Sequence, residues 1–119
     1  MVDELRLKFN KLMENEELLW TNEELQFLRS TYDELFARLS DDFQSCKRVL
    51  EVAEILSNEA NIGKLSVFSL LLYRAILSGC YAKESVEKEF GEQVHSIIKG
   101  LFTAQELYTK NPSVESENF

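Results

Sequence analysis

The stretch from Ser66 to Leu77 constrains the fold of this chain more than any other part of the sequence. A helix built from Leu65 to Leu72 is apolar on nearly every side, so it has no face suited to water. The apolar run is about 12 residues long and is interrupted by Tyr73 and Arg74, whereas a bilayer span needs ~20 residues. The stretch therefore predicts a central helix surrounded by other helices, and no contact with a membrane.

Amphipathic segments on both sides of this stretch predict the surrounding helices, because their apolar residues recur three and four positions apart. Thr21 and Glu24 form a capping-box pattern that predicts the start of a second helix. No run alternates apolar and polar residues as strands do, so we expect an all-α bundle of five or six helices. The predicted core positions are Leu5, Phe9, Leu12, Met13, Leu25, Leu28, Tyr32, Leu35, Leu39, Val49, Val52, Ala53, Leu56, Val86, Phe90, Val94, Ile97, Ile98, Leu101 and Phe102.

Two features of these segments predict how one helix packs and where three helices end. The apolar residues from Leu25 to Leu39 form a narrow seam like that of a coiled coil, for which packing within the chain is preferred and a homo-oligomer contact is the alternative. The third helix is expected to end near residues 61–63, with Gly63 as its left-handed cap. Gly79 and Gly91 are expected to end the fourth helix and a short helix that starts near Lys83.

Length and charge exclude several classes of protein. At 119 residues we expect one domain, residues 1–119. The net charge of −8 and the scattered basic residues argue against nucleic-acid binding, which depends on clustered Lys and Arg. Cys46 and Cys80 are too few for a secreted disulfide framework, and no basic start followed by an apolar run marks a signal peptide. The cytoplasm is therefore the predicted compartment.

Two segments carry a resemblance to a known family. Residues 48–56 read RVLEVAEIL and residues 87–94 read EKEFGEQV. In the same order they resemble the H-P-L-x-V-A-x-I-L and E-x-E-F-G-E-x-V segments of the hydrolase-type HD domain of the RelA/SpoT homologues, which make and degrade the alarmone (p)ppGpp. The resemblance covers roughly residues 48 to 119 and implies an HD-domain-like bundle. The family's last metal ligand, an Asp, would lie beyond Phe119, so we expect a fragment truncated at its C-terminal end.

The metal-binding residues of the family are replaced in this chain. Between the two segments the family has A-A-L-L-H-D-V-V-E-D-T, in which His-Asp binds manganese and Glu-Asp helps to prepare the attacking water. The aligned residues here are Tyr73 and Arg74 for the first pair and Leu77 and Ser78 for the second. A guanidinium cannot be deprotonated and offers no lone pair to a cation. The resemblance therefore implies no catalytic residue, no metal site and no cofactor here, with manganese expected only in intact family members.

The resemblance to the RelA branch implies a function. We expect a catalytically inactive, regulatory pseudo-hydrolase domain of a (p)ppGpp synthetase, a GTP pyrophosphokinase of the stringent response. Its partner would be the downstream synthetase domain of the same chain. The alternative is a helical protein–protein interaction or dimerisation module without nucleotide chemistry. Hydrolysis through a displaced metal site would need at least two new ligands near Tyr73, and the sequence supplies no histidine there.

Other reactive residues give weak signals. His95 is the single histidine and is expected to be a surface or boundary residue. The two cysteines lack the C-x-x-C spacing of zinc sites and are expected to be buried thiols. The Asp41-Asp42 pair is expected to be a solvated helix end. Trp20 is expected to pack in the core between the first two helices, with a partner contact as the alternative.

Overall fold

The apolar segments fold into helices throughout the computed structural model, which describes residues 2–39, 42–58 and 63–110. The described residues form six α-helices and two 3₁₀ turns, and none of them lies in a β-strand, so the all-α prediction is confirmed. The turns, Glu16–Leu18 and Lys83–Ser85, precede the second and the fifth helix. The helices are α1 (Val2–Met13), α2 (Asn22–Ala37), α3 (Phe43–Leu56), α4 (Gly63–Leu77), α5 (Val86–Phe90) and α6 (Glu92–Lys110).

Helix α4 is the centre of the bundle, as its all-round apolar sequence predicts. It packs against α2, α3 and α6, and Val67, Leu71, Leu72 and Ala75 are completely buried. Complete burial of a side chain the size of leucine contributes ~1.5–3 kcal/mol, so α4 supplies much of the driving force for folding. No helix among the described residues is both long enough and apolar enough to span a bilayer.

The seam of α2 is turned inward. Leu28, Tyr32 and Leu35 are buried, and the Tyr32 hydroxyl donates a 2.6 Å hydrogen bond to the Leu71 carbonyl of α4. The Tyr32 ring also stacks on Phe9 of α1, with ring centroids 4.6 Å apart. Packing within the chain, the preferred interpretation of the seam, is therefore confirmed for these three residues, while Leu25 and Leu39 are partly buried.

Helices α1 and α3 run side by side in the same direction. Glu4 and Lys8 of α1 form ion pairs with Lys47 and Glu51 of α3, at 3.4 and 3.7 Å. Both partners thus advance by four residues from one pair to the next, which is one helical turn. Each helix contributes one acid and one base to this contact.

Several helix ends follow the sequence signals. The Thr21 hydroxyl accepts from the Glu24 N–H, and the Glu24 carboxylate accepts from the Thr21 N–H, so the predicted capping box is formed. Gly79 lies two residues after the end of α4, and Gly91 directly follows α5. Their φ values of 77° and 94° are in the region that favours glycine. Both predicted glycine stops are confirmed.

Three expectations about the third helix are wrong. Helix α3 ends at Leu56, and Gly63 starts α4 without a positive φ. A Cβ at Gly63 would lie 3.3 Å from the Leu56 carbonyl oxygen, so close packing against the preceding helix end, rather than a left-handed cap, suits glycine there. The buried face of α3 carries Cys46, Leu50 and Ala53, whereas the predicted core residue Val52 is 40% exposed.

Candidate functional site

The residues aligned with the family's metal ligands lie in the second half of α4, at the centre of the bundle. Tyr73 and Arg74 are both buried, and consecutive helical residues point about 100° apart. The Tyr73 hydroxyl donates a 2.6 Å hydrogen bond to Gln105 Oε1, and its ring packs edge-on against Phe102, with centroids 5.0 Å apart. Tyr73 therefore joins α4 to α6.

Arg74 points to another part of the bundle, the start of α3. Its Nη2 donates to the Ser78 hydroxyl at 3.2 Å and lies 3.5 Å from Asp42 Oδ2. Only 6% of Arg74 is exposed, and its buried Nε has no hydrogen-bond partner among the described residues. Asp42 lies directly before α3 and does not cap that helix with its side chain. Arg74 therefore links the start of α3 to the end of α4.

Besides Asp42, the described ionisable groups near the guanidinium are Cys46, Tyr32 and Tyr73, and these three are neutral at physiological pH. Burial raises the pKa of the Cys46 thiol to about 11, although the charge of Arg74 opposes this shift. Burial likewise raises the pKa of the Tyr32 hydroxyl well above its ordinary value, and that of Tyr73 above it. Arg74 is thus a buried cation, and Asp42, its carboxylate partner among the described residues, is half exposed.

The second pair of aligned positions carries no acid–base group. Leu77 is partly exposed at the end of α4, and the half-buried Ser78 accepts the hydrogen bond from Arg74. A manganese ion does not fit this arrangement, because a guanidinium, a neutral tyrosine and an alkyl chain replace the oxygen and nitrogen donors that it needs. Within the described ranges, no three His, Cys, Asp or Glu side chains are grouped so that they could hold a metal ion.

The other candidates from the sequence are dispersed. Cys46 is buried, and Cys80 is half-buried beside Arg38, whose Nη1 is 3.7 Å from its sulfur. His95 is half-buried on α6 and has no hydrogen bond to either thiol among the described residues. The Trp20 indole N–H donates a 2.9 Å hydrogen bond to a backbone carbonyl of α1, and its partly buried ring packs against the core, as expected. Asp42 is exposed, as expected for a helix end, while Asp41 lies outside the described residues.

Sequence reasoning missed two cavities. A groove of about 540 Å³ runs between α4 and the start of α6, and a pocket of about 220 Å³ lies between α6 and the turn before α5. The groove is lined by Glu24, Lys64, Leu65, Phe68, Phe90, Gly91, Glu92, Gln93 and Val94. The pocket is lined by Lys83, Val86, His95, Ile98 and Lys99. Lys83 lies three positions before Val86, and Ile98 and Lys99 lie three and four positions after His95 on α6. These spacings are the sequence signal that could have grouped the pocket residues.

Sequence reasoning also missed Asp42 as the partner of Arg74. The two residues are 32 positions apart, and no local pattern connects them. Compared with family models, with curated proteins and with solved structures, the chain matches none of them.

Proposed function

We propose that this chain is a catalytically inactive, regulatory HD-type domain of a RelA/SpoT-type protein that synthesises (p)ppGpp. The observation that carries the proposal is the burial of Arg74 at the position where the resemblance puts a metal-ligating Asp. Its guanidinium interacts with Asp42 and Ser78 instead of leaving room for a cation. A permanent positive charge at this point repels a divalent metal, so the water-activating step of the family has no support here.

The proposed regulatory action is conformational. A domain without chemistry alters a neighbouring synthetase only if its contacts differ between the active and inactive states of that synthetase. The partner in this proposal is a synthetase domain downstream in the same polypeptide.

The absence of hydrolysis is tested with the complete polypeptide, ppGpp and Mn²⁺. We expect no release of pyrophosphate above the background rate. An intact hydrolase of the family serves as the positive control. Pyrophosphate release that depends on Mn²⁺ and disappears in the variant Asp42→Asn would overturn the proposal, because Asp42 would then be a metal ligand.

The regulatory part of the proposal is tested with the complete polypeptide. The rate of (p)ppGpp synthesis is compared between the complete polypeptide and a deletion that lacks residues 1–119. We expect the deletion to change the rate at saturating substrate or the response to an activator. An identical rate and response in both proteins would contradict a regulatory role while leaving the absence of hydrolysis untouched.

A helical interaction module without nucleotide chemistry is a second candidate function. The groove between α4 and α6 favours it, because Leu65, Phe68, Phe90 and Val94 give the groove an apolar lining. Sedimentation equilibrium over a hundredfold range of concentration distinguishes the two functions. A dimer that is weakened by Phe90→Ser, together with no effect of the chain on (p)ppGpp synthesis, would favour the interaction module.

A further inference from the structure

Helices α3, α4 and α6 form a layer with α4 in the middle, because α4 packs against both of the others. The remaining described helices lie together on one side of this layer. Helix α2 packs on α4, and Phe9 of α1 stacks on Tyr32 of α2. The ring of Phe27 in α2 lies 5.1 Å from that of Phe90 in α5, measured between centroids. The opposite side of the layer is therefore not covered by any helix of the described ranges.

One flank of α3 turns apolar residues to this uncovered side. Lys47 faces α1, because its ammonium group pairs with a glutamate of that helix. At about 100° per residue, Val49, Val52 and Leu56 lie roughly 140–180° around α3 from Lys47. Val52 is 40% exposed, and the other two are partly buried. These apolar side chains therefore border water on the side of the layer away from α1.

Helices α4 and α6 turn apolar residues to the same side. Lys64 pairs with a glutamate of α2, and Leu70 and Leu77 lie roughly 120–140° around α4 from it. Phe102 lies under the lysine of the turn before α5, and Ile97 lies roughly 140° around α6 from Phe102. Leu77 is 36% exposed, while Leu70 and Ile97 are partly buried. With two neighbouring residues, these side chains form what we call the open face: Val49, Val52, Leu56, Ser66, Leu70, Leu77, Ile97 and Leu101.

The open face carries no charge. The chain has 21 acidic and 13 basic residues, yet the residues of the open face are apolar apart from one serine. Arg48 borders the face on α3, and the adjoining Gln93, Gly100 and Ala104 of α6 are uncharged. The centre of a protein–protein interface is likewise depleted of charged residues. The composition of the open face therefore matches an interface better than a solvated surface.

We infer that the open face binds the open face of a second copy of this chain across a two-fold axis. Such an axis brings each patch against the same patch of its partner, so a charged face would meet its own charges. An uncharged apolar face avoids this repulsion, although each copy has a net charge of −8. This inference goes beyond the proposed regulatory function, and it uses a surface other than the groove between α4 and α6.

The size of the open face sets the expected strength of the dimer. Helices α3 and α4 have 14 and 15 residues, so the layer is ~21 Å long, and three helices about 9 Å apart make it ~28 Å wide. Two copies then bury roughly 1,200 Å², which is the lower end of specific interfaces. We therefore expect a dissociation constant in the micromolar range.

The first test is sedimentation equilibrium of the whole chain from about 2 to 200 μM, at low and at high salt. We expect a monomer–dimer equilibrium that NaCl strengthens, because salt screens the repulsion between two acidic copies while the apolar contact persists. A monomer at every concentration would overturn the inference. Weakening by salt would do so as well, since it would indicate a contact between opposite charges.

Two matched variants then locate the contact. Val52→Glu should weaken the dimer at least about tenfold, because it brings an unpaired carboxylate into the interface from each copy. Leu7→Glu makes a comparable change at a 66% exposed residue of α1, on the covered side of the layer, and should leave the dimer unchanged. Circular dichroism checks that both variants are folded. Equal weakening by both variants would contradict the proposed location.

Spectra of the unmodified chain make the result independent of how well the variants fold. In ¹H–¹⁵N correlation spectra recorded over the same concentrations, we expect shifts at the amides of Val49, Val52, Leu70 and Ile97. Shifts concentrated at Phe90 and its neighbours would place the contact in the groove between α4 and α6 and would overturn the inference.

Discussion

Arg74 Nη2 lies 3.5 Å from Asp42 Oδ2, and this contact joins a guanidinium that is almost completely buried to a carboxylate that is half exposed. Moving a cation from water into the protein interior costs free energy unless a partner of opposite charge compensates that cost. The Ser78 hydroxyl compensates part of that cost, but Nε remains without a hydrogen-bond partner in the described part of the chain. Asp42 is therefore the main electrostatic partner of a charge that the core would otherwise not accommodate.

This dependence can be measured with a double-mutant cycle. We expect Asp42→Asn to lower the free energy of unfolding by about 1–2 kcal/mol, since it leaves Arg74 buried without a counter-ion. In an Arg74→Met background the same substitution should cost about 1 kcal/mol less. Urea unfolding of the four proteins provides the measurement. The control is Asp33→Asn, which breaks the exposed pair with Arg6 and should cost less than about 0.5 kcal/mol. Equal costs of Asp42→Asn in both backgrounds would contradict this account.

Two glycines offer a matched pair of substitutions with opposite signs. Gly91→Ala should destabilise the chain by about 1–3 kcal/mol, because the φ of 94° and ψ of 176° at this position suit glycine alone. Gly100→Ala should stabilise it by about 0.5–1 kcal/mol, because Gly100 lies inside α6 and an added Cβ meets nothing within 4 Å. Thermal unfolding of both variants checks the prediction, and a change of the same sign in both would contradict it.

The contact between Glu24 and Lys64 predicts a dependence of stability on pH. Partial burial raises the pKa of Glu24, but the hydrogen bonds from Lys64 and Thr21 and the charge of Lys64 outweigh burial and lower it overall. The folded state then binds this proton less readily than the unfolded state. The resulting stabilisation is complete above the ordinary glutamate pKa of about 4.3 and is lost as pH falls through the lower folded value.

The variant Glu24→Gln isolates this effect, because glutamine preserves the capping pattern and removes the charge. Its free energy of unfolding should be lower than that of the native chain at about pH 7, and the difference should shrink below about pH 4.3. Glu23→Gln, which alters the exposed neighbouring residue, should show no comparable convergence. A difference that stays constant on acidification would rule out Glu24 as the source.

The two thiols should react at different rates with an alkylating agent. Cys46 is completely buried and its pKa is raised to about 11, whereas Cys80 is half-buried. Only the accessible thiolate reacts, so iodoacetamide at about pH 8 should modify Cys80 at least about tenfold faster. Peptide mass spectrometry over time gives both rates. In Cys80→Ser the remaining alkylation should follow global unfolding, and rapid modification of Cys46 in the folded protein would contradict its burial.

Local sequence signals predicted most helices, because periodicity and caps act over one or two turns. The capping box of Thr21 and Glu24 and the glycine stops at Gly79 and Gly91 are examples. The prediction for the inward face of α3 was partly wrong, because Val52 is apolar and correctly spaced but exposed, while the buried Leu50 was not counted as a core residue. Hydrophobicity alone does not distinguish two neighbouring helical faces when both carry apolar residues.

The candidate site was predictable only in part. The sequence indicated that Tyr73 and Arg74 interrupt an apolar helix, and both are buried. It did not indicate that Asp42 approaches Arg74 or that Gln105 accepts from Tyr73, because these contacts depend on how three helices pack. The role of the site as a degenerate metal centre remains a prediction from the resemblance.

The two ion pairs between α1 and α3 affect the register in which these two helices pack. Glu4 faces Lys47 and Lys8 faces Glu51, so the order of charges is reversed between the two helices. A slip by one turn would place Lys8 opposite Lys47 in one direction, or Glu4 opposite Glu51 in the other. Like charges at that spacing repel. The surface charges therefore favour a single register between the two helices.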